Sequence, residues 1–345
     1  MECAGEVMKA TIKSIAQECN LSITAVSLVL NGKPNRISAE TKKLILETAK
    51  KQNYSPNQIA VGLVKGKTST IGLILSDISN LFLAEIAKIV EEEVKKYKYT
   101  VIFGNTGDSG QREIEYIEEF LGKNVDGIIL LHSSYVTESE EKRIIELVQR
   151  SGVPFVMLDN DITVSEIFRC VLDNEKGGYL AGTHLFELGH RKVGCLLGPM
   201  GQCSVRDRLK GYKKALADWR IPFEEELLYY GDFTIQSGVM AMPYFLEKQV
   251  TAVFSYNDMM TYGLYTYARE HNIKIGTDIS IIGFDDCFIN NLLEIPLTSM
   301  KQPRVEMTRK ATECLISLID GNKMKKNPIV FDPELVVRSS TGVKS

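Results

Sequence analysis

Four histidines, a single tryptophan and seven cysteines without one CxxC pair are all that this 345-residue chain offers of the residues that build metal and redox centres. His132, His184, His190 and His271 show no metal-ligand spacing, so neither a metal nor a resident cofactor is expected. Cys3, Cys19, Cys170, Cys195, Cys203, Cys287 and Cys314 are odd in number and mostly sit inside apolar runs, the pattern of reduced, packed thiols rather than of a disulfide framework. No apolar run approaches the ~20 residues that a bilayer-spanning helix needs. Met1 to Val7 has neither the basic nor the apolar region of a secretory signal, so the expectation is a cytoplasmic protein with no membrane contact. GxxxxGK[ST] and GxSxG are missing, and SDISNLF stands where a glycine fingerprint would follow the first strand. No enzyme is expected.

What the chain does have is an uneven charge. From Met8 to Lys67 there are ten Lys and Arg against three Glu, a net of +7, whereas residues 68–345 carry 31 basic against 39 acidic side chains, a net of −8. A basic segment on an acidic body is the footprint of a protein in which one segment alone meets phosphates. A solvated basic surface is the plainer alternative, but it does not explain why the charge stops at Lys67.

Within that segment, Ile12, Ile15, Ala16 and Cys19 fall on one helical face behind Thr11, a good N-cap. Asn20 and Leu21 interrupt; Ser22 offers a second N-cap, Val26, Val29 and Leu30 form a second stripe, and Asn31-Gly32 stops it. Two short helices with a tight turn fit a helix-turn-helix, whose second helix enters a DNA major groove, with Thr24, Ser27, Leu28 and Asn31 opposite the stripe. The same spacing also fits an αα-hairpin in some helical core. Ser38 caps a third helix through Leu44, Ile45, Thr48 and Ala49 that would brace the first two, and Pro56 bars its continuation. Asn57 to Val64 is one more helical pattern of about eight residues, below the ~12 to 15 that stand alone, so it forms only when something holds it.

From Thr70 onward, short apolar runs (TIGLILS, YTVIFGN, DGIILLH, PFVMLDN, FRCVLDN, KVGCLLG, TAVFSYN, ISIIGFD) alternate with amphipathic stretches such as 83–97, 111–123, 138–151, 177–188 and 258–270. This predicts an α/β body of two lobes, each a doubly wound parallel sheet, with a last strand over Ile329 to Arg338. Ligands of such sheets bind beyond the carboxyl ends of the strands, which directs attention to Asp159-Asn160, Asn257-Asp258 and Asp285-Asp286. Each carboxylate could equally cap the helix that follows it.

The run from Thr11 to Asn31 is followed by Ile37-Ser38-Ala39-Glu40-Thr41, Asn53-Tyr54-Ser55-Pro56-Asn57 and Ile71-Gly72-Leu73. Further on stand Ser79-Asn80-Leu81-Phe82, Val125-Asp126-Gly127-Ile128, Gly189-His190-Arg191, Gly198-Pro199, Tyr256-Asn257-Asp258, Ile282-Gly283-Phe284-Asp285-Asp286 and Lys301-Gln302-Pro303. Together, over roughly residues 9 to 340, they resemble the lactose and galactose repressor (LacI/GalR) family. The resemblance implies an unstructured tail at 1–7, a helix-turn-helix domain at 8–56, a hinge helix and linker at 57–69, and a two-lobed core like a periplasmic binding protein. One lobe takes 70–171 plus 302–331 and the other 172–301 plus 332–345. It implies a dimeric regulator, a repressor, on near-palindromic double-stranded operator DNA. Thr11, Ser22, Ile23, Thr24, Ser27, Leu28, Asn31 and Asn57 would face the DNA, with Leu63 wedged in the central minor groove.

For the core, the resemblance implies a small-molecule effector, a sugar or sugar derivative, held by Phe82, Asp159, Asn160, Arg208, Phe233, Asn257, Asp285 and Gln302. Arg208 would open a helix after the Gly198 loop and clamp neighbouring hydroxyls, and the two Phe rings would offer flat faces. Departures from the family pattern are Leu83 where sugar-responsive members carry an aromatic, Leu28 in place of a basic or polar residue, Val61-Gly62 at the hinge, and Thr308 for a glycine. A protein co-effector stays open. The rival reading from another class is the solute-binding protein of a sugar transport system, which shares the two-lobed body but has no use for residues 9–67.

Overall fold

The computed structural model describes residues 10–33, 36–55, 66–159, 167–324 and 328–344. They form two compact units that divide after Thr68. The hinge residues 57–64, and Asn160 in the body, lie outside the described residues.

In the first unit, α1 (Ile12–Glu18), α2 (Ile23–Leu30) and α3 (Ala39–Lys51) all begin on hydroxyl caps. Thr11 accepts from Ser14 N and Ser14 answers it in a reciprocal capping box; Ser22 accepts from Ala25 N, and Ser38 from Thr41 N. The three helices enclose Ile15, Ala16, Cys19, Val26, Ile45 and Ala49, with Tyr54 closing one side. Cys19 Sγ donates to Thr48 Oγ1 at 3.4 Å, tying α1 to α3. Leu44 departs from expectation: it is 47% exposed, because the buried face of α3 runs through Ile45, Thr48 and Ala49.

The second unit is built on two six-stranded sheets. One takes β1 (Thr70–Leu75), β2 (Thr100–Asn105), β3 (Gly127–Leu130), β4 (Phe155–Asp159), β5 (Phe168–Leu172) and β11 (Ile329–Phe331), in the spatial order β11-β5-β4-β3-β1-β2. The other takes β6 (Val193–Leu197), β7 (Leu228–Tyr230), β8 (Ala252–Ser255), β9 (Ser280–Asp285), β10 (Thr298–Lys301) and β12 (Glu334–Val336), in the order β12-β10-β9-β8-β6-β7. The strand pairings are parallel except that of β12 with β10. Between strands run α4 (Leu81–Lys96), α5 (Gly110–Gly122), α6 (Glu138–Ser151), α7 (Asn174–Glu187), α8 (Cys203–Asp218), α9 (Ile235–Glu247), α10 (Asp258–Glu270) and α11 (Arg304–Ile319).

The chain passes from one sheet to the other after β5, after β10 and after β11. The single strand expected over 329–338 is therefore two short ones in different sheets, split at Asp332-Pro333, where proline has no N–H to give a ladder. Each sheet reverses its strand order once, at β1/β3 and at β6/β8, and the loops leaving those strands open a crevice.

Candidate functional site: a cleft between two lobes

The crevice is a cleft of about 580 Å³ lined from both lobes. Ser76 and Asp77 follow β1, Leu131 to Tyr135 follow β3, and Asp159 ends β4; from the other lobe come Gln202, Asp232 and Phe233, Asn257, and Asp285 at the end of β9. Asp159, Phe233 and Asp285 hold φ of 76°, 66° and 116°, a left-handed backbone that costs non-glycine residues about 1 to 3 kcal/mol each. Such strain, found on both walls of one cleft, is spent on aiming side chains.

Arg208 is the cleft's central cation, only 4% exposed. It does not open its helix; α8 begins at Cys203, and Arg208 sits in its second turn. Nε donates to Asn174 Oδ1 at 2.8 Å, Nη1 donates to the Tyr256 carbonyl, and the guanidinium lies 3.6 Å from the centre of the Phe284 ring. Asn174 begins α7, which packs so closely on α8 that a Cβ at Gly178 would stand 1.9 Å from the Arg208 carbonyl oxygen. Burial pulls the Arg208 guanidinium below its ordinary value while the Asp285 and Asp159 charges oppose the shift.

The carboxylates facing it are unsatisfied in complementary ways. Burial pushes Asp159 up, with Arg208 opposing; the residue as a whole is half-buried, but its Oδ1 is sealed from solvent and has no hydrogen-bond partner. Burial, reinforced by the charge of Asp258, holds Asp285 well above the carboxylate range against Arg208 and against the bond from Gln302 Nε2, 2.8 Å from Asp285 Oδ1. Gln302 is 1% exposed and its Oε1 has no partner. Asn257 caps α10, accepting from Met260 N at 2.9 Å, and donates to the Phe233 carbonyl at 3.2 Å. The Phe233 ring occupies the space above Gly198, where any Cβ would come within 2.2 Å of it. Phe82, 4% exposed, and Leu83 complete the apolar wall at the start of α4.

Thus Phe82, Asp159, Arg208, Phe233, Asn257, Asp285 and Gln302 meet in one cleft. Asp258, an alternative at the strand end, does not: it lies beneath, accepting from Cys287 N, Asn290 Nδ2 and Ser299 Oγ. Residues not foreseen also line the cleft, among them Asp77, Asp108, His132, Tyr135, Gln202 and Asp232. His132 pairs with fully buried Glu113 at 2.7 Å; burial works against the charged imidazole, but that bond and the Glu113 charge lift it above its ordinary value. Gln202 Nε2 donates to Ser134 Oγ at 2.7 Å and so bridges the lobes. The strand-end rule that found Asp159 would have found Asp77, since Ser76-Asp77 directly follows β1.

On the first unit, Thr11, Ser22, Ile23, Thr24 and Asn31 are exposed, while Ser27 and Leu28 are half-buried. Ile23 is 54% exposed, an apolar side chain with no place in the three-helix core. Asn31 Nδ2 folds back onto the Ser27 carbonyl at 2.8 Å.

Residues 11–57 match the bacterial regulatory proteins of the lacI family, and residues 183–341 match the periplasmic binding protein-like domain. Catabolite control protein A of Priestia megaterium is 32% identical, over 97% of this chain and all of that protein. The chain belongs to the LacI family of bacterial regulators. As a LacI-family member it is a DNA-binding transcriptional regulator, and residues 11–57 set aside the solute-binding reading. Its fold is similar to that of the lac repressor in a structure of the repressor dimer bound to operator (TM-score 0.84, 24% identity, covering 97% of this chain and 99% of that one). A LacI family transcriptional regulator from Enterococcus faecium with bound ribose is 29% identical, with a TM-score of 0.73, over 80% of this chain and all of that one.

Proposed function

We propose that this LacI-family regulator binds a near-palindromic operator as a homodimer and represses transcription, and that a sugar held between the two lobes of its core controls that binding. The observation that carries the effector half is Arg208, locked by Asn174 and the Tyr256 carbonyl and set before Asp159, Asp285 and Gln302, groups that lack partners or charge balance. A guanidinium fork donates to neighbouring hydroxyl oxygens while carboxylate and amide oxygens accept from them, a combination suited to a polyol. Phe82 and Phe233 would take its C–H faces, and Asn257 and Asn160 would add polar contacts. The ribose in the E. faecium relative supports the same class.

On DNA, the helix Ile23–Leu30 would lie in the major groove, with Ile23, Thr24, Ser27, Leu28 and Asn31 toward the bases. The Thr11 and Ser22 hydroxyls, whose oxygens cap helices, remain able to donate to phosphates. Leu28 cannot make the bidentate guanine contact that Arg makes; an apolar group there favours a thymine methyl or reads no base. Asn57 and Leu63 would belong to a hinge that docks in the minor groove. We take the lobes as 70–171 with 302–331 and 172–301 with 332–345, preceded by 8–56 and 57–69, a division supported to within a residue or so by the passages between sheets after β5, β10 and β11. The relatives are transcriptional regulators, no described helix is long and apolar enough to cross a membrane, and the working place is the cytoplasm with no catalytic step.

Thermal-shift screening of pentoses, hexoses and disaccharides tests the effector site. Ligand at 100 times its dissociation constant adds about 2.7 kcal/mol to the folded state, a clear rise in Tm. The shift should vanish in Arg208→Ala; a full shift in that variant would place the effector elsewhere.

A further inference from the structure

Two buried oxygens on the cleft wall, Asp159 Oδ1 and Gln302 Oε1, have no hydrogen-bond partner. The Gln302 amide is oriented by its bond to Asp285, so its oxygen is the atom left over. Both are acceptors, and a ligand that satisfies them must bring O–H or N–H. A phosphate or a carboxylate brings acceptors and charge instead.

Nearer the mouth the same preference is repeated by charge. Asp77, Asp108 and Asp232 line the cleft from the loops after β1, β2 and β7. Each is oriented by hydrogen bonds: Asp77 accepts from Ser79 N at 2.9 Å, Asp108 from Ser134 N at 2.5 Å across the loops after β2 and β3, and Asp232 from Thr234 N at 3.0 Å. Burial pushes the Asp108 carboxyl above its ordinary value, whereas at Asp232 burial is overcome by the bonds from Thr234 and Ser237, which hold it below. Tyr135, 57% exposed, stands between the lobes' acids: after burial, the charges of Asp108 and Asp232 together raise its hydroxyl above the ordinary value. Of the nearby basic residues, only Arg208 and His132 line the cleft. Arg208 is fixed deep in the cleft, His132 is tied to Glu113, Arg206 binds the Met200 and Gly201 carbonyls, and Arg112 lies over the Tyr116 ring.

Resting on the sugar-effector reading, we infer that Asp77, Asp108 and Asp232 form an acidic collar that selects effectors by charge, so that the cleft takes a neutral or ammonium-bearing polyol and turns away phosphorylated and carboxylated sugars. A phosphate dianion entering among these carboxylates is repelled where solvent screening is partial, and it offers the inner acceptors no donor in place of the hydroxyl it replaces.

The test uses full-length protein and its Asp108→Asn/Asp232→Asn variant with matched probes: ribose against ribose 5-phosphate, and glucose against glucosamine and glucose 6-phosphate. Calorimetry on the wild type should show the parent sugar, or its amine, binding at least about tenfold more tightly than the phosphate ester, and the variant should narrow that ratio to about threefold. A second measurement needs no sugar. In Tyr135→Trp on a Trp219→Phe background, caesium should quench the new fluorophore about threefold more strongly than iodide, and neutralising the two acids should bring the ratio toward one. Equal quenching, or a sugar phosphate that matches its parent, overturns the collar. Preferential quenching by caesium with no response to any sugar upholds the collar and overturns the sugar reading instead.

Discussion

Asp258 and Asp285 stand at the ends of neighbouring strands of one sheet, yet they do different work. Asp258 is fully enclosed, and its oxygens accept from Cys287 N at 2.9 Å, Asn290 Nδ2 at 2.7 Å and Ser299 Oγ at 2.8 Å, which makes it the knot under the cleft floor. Burial pushes it up to about 6 from an ordinary 3.8; the three donors resist, and the charge of Asp286 adds to the rise. Since the folded state holds this proton more tightly than the unfolded one, the stability it contributes is fully present below about pH 3.8 and lost as pH rises through about 6. Urea midpoints should therefore carry a component from Asp258 that falls between those values by up to about 1.4 kcal/mol per pH unit. Asp258→Asn should flatten that component and cost about 1 to 3 kcal/mol throughout, because its NH2 faces donors. An unchanged pH profile in the variant would contradict the assignment. The strand-end pattern points to both Asp258 and Asp285, and only the family resemblance selects Asp285; what separates them physically is Asn290 and Ser299, 32 and 41 residues downstream of Asp258, and no local pattern announces those contacts.

At the scale of elements, the position of Arg208 depends on two helices in backbone contact. Gly178 on α7 meets the Arg208 carbonyl, and Gly211 on α8 meets the Glu175 carbonyl, where a Cβ would stand 1.8 Å away. Gly178→Ala must push the helices apart, at a cost of about 1 to 3 kcal/mol. It should also loosen the Arg208 bond to Asn174, weakening the sugar response along with the Tm; a Tm within a degree of wild type would contradict the close approach. In the other unit, Ser22→Ala removes a cap with its side chain exposed, and should cost about 1 kcal/mol in that unit while leaving the core's melting untouched.

These elements also show what a sequence can reveal. Thr11, Ser22 and Ser38 announced their helices because a cap is chemistry among four neighbours. The buried strands announced themselves as apolar runs, and the polar residues ending them gave most of the cleft. The start of α8 was hidden because Gln202, at its N-cap position, makes no cap bond and instead reaches across to Ser134. The short β10 (TSMK) is a strand without an apolar run, recognisable only from its partners β9 and β12. Residues 57–64 carry the pattern of a helix that needs a partner, and they lie outside the described residues.

For the whole molecule, the division of charge, +7 over residues 8–67 against −8 over residues 68–345, predicts DNA binding that weakens steeply with salt. Each phosphate contact contributes a slope of about −0.9 in log affinity against log salt, so a dimer contacting six to ten phosphates loses about 10³ to 10⁵ in affinity between 50 and 200 mM salt. An effector that prefers one arrangement of the lobes must shift that affinity by its own difference in binding, typically about 1 to 3 kcal/mol. The decisive measurement is fluorescence anisotropy of a palindromic fragment from the protein's own promoter, titrated with full-length wild type and with Arg208→Ala, each with and without the best sugar from the thermal screen. Binding by both proteins, with affinity changed about fivefold or more by the sugar in wild type and unmoved in Arg208→Ala, is the predicted result. No binding at low ionic strength, or an equal response in the variant, would contradict it.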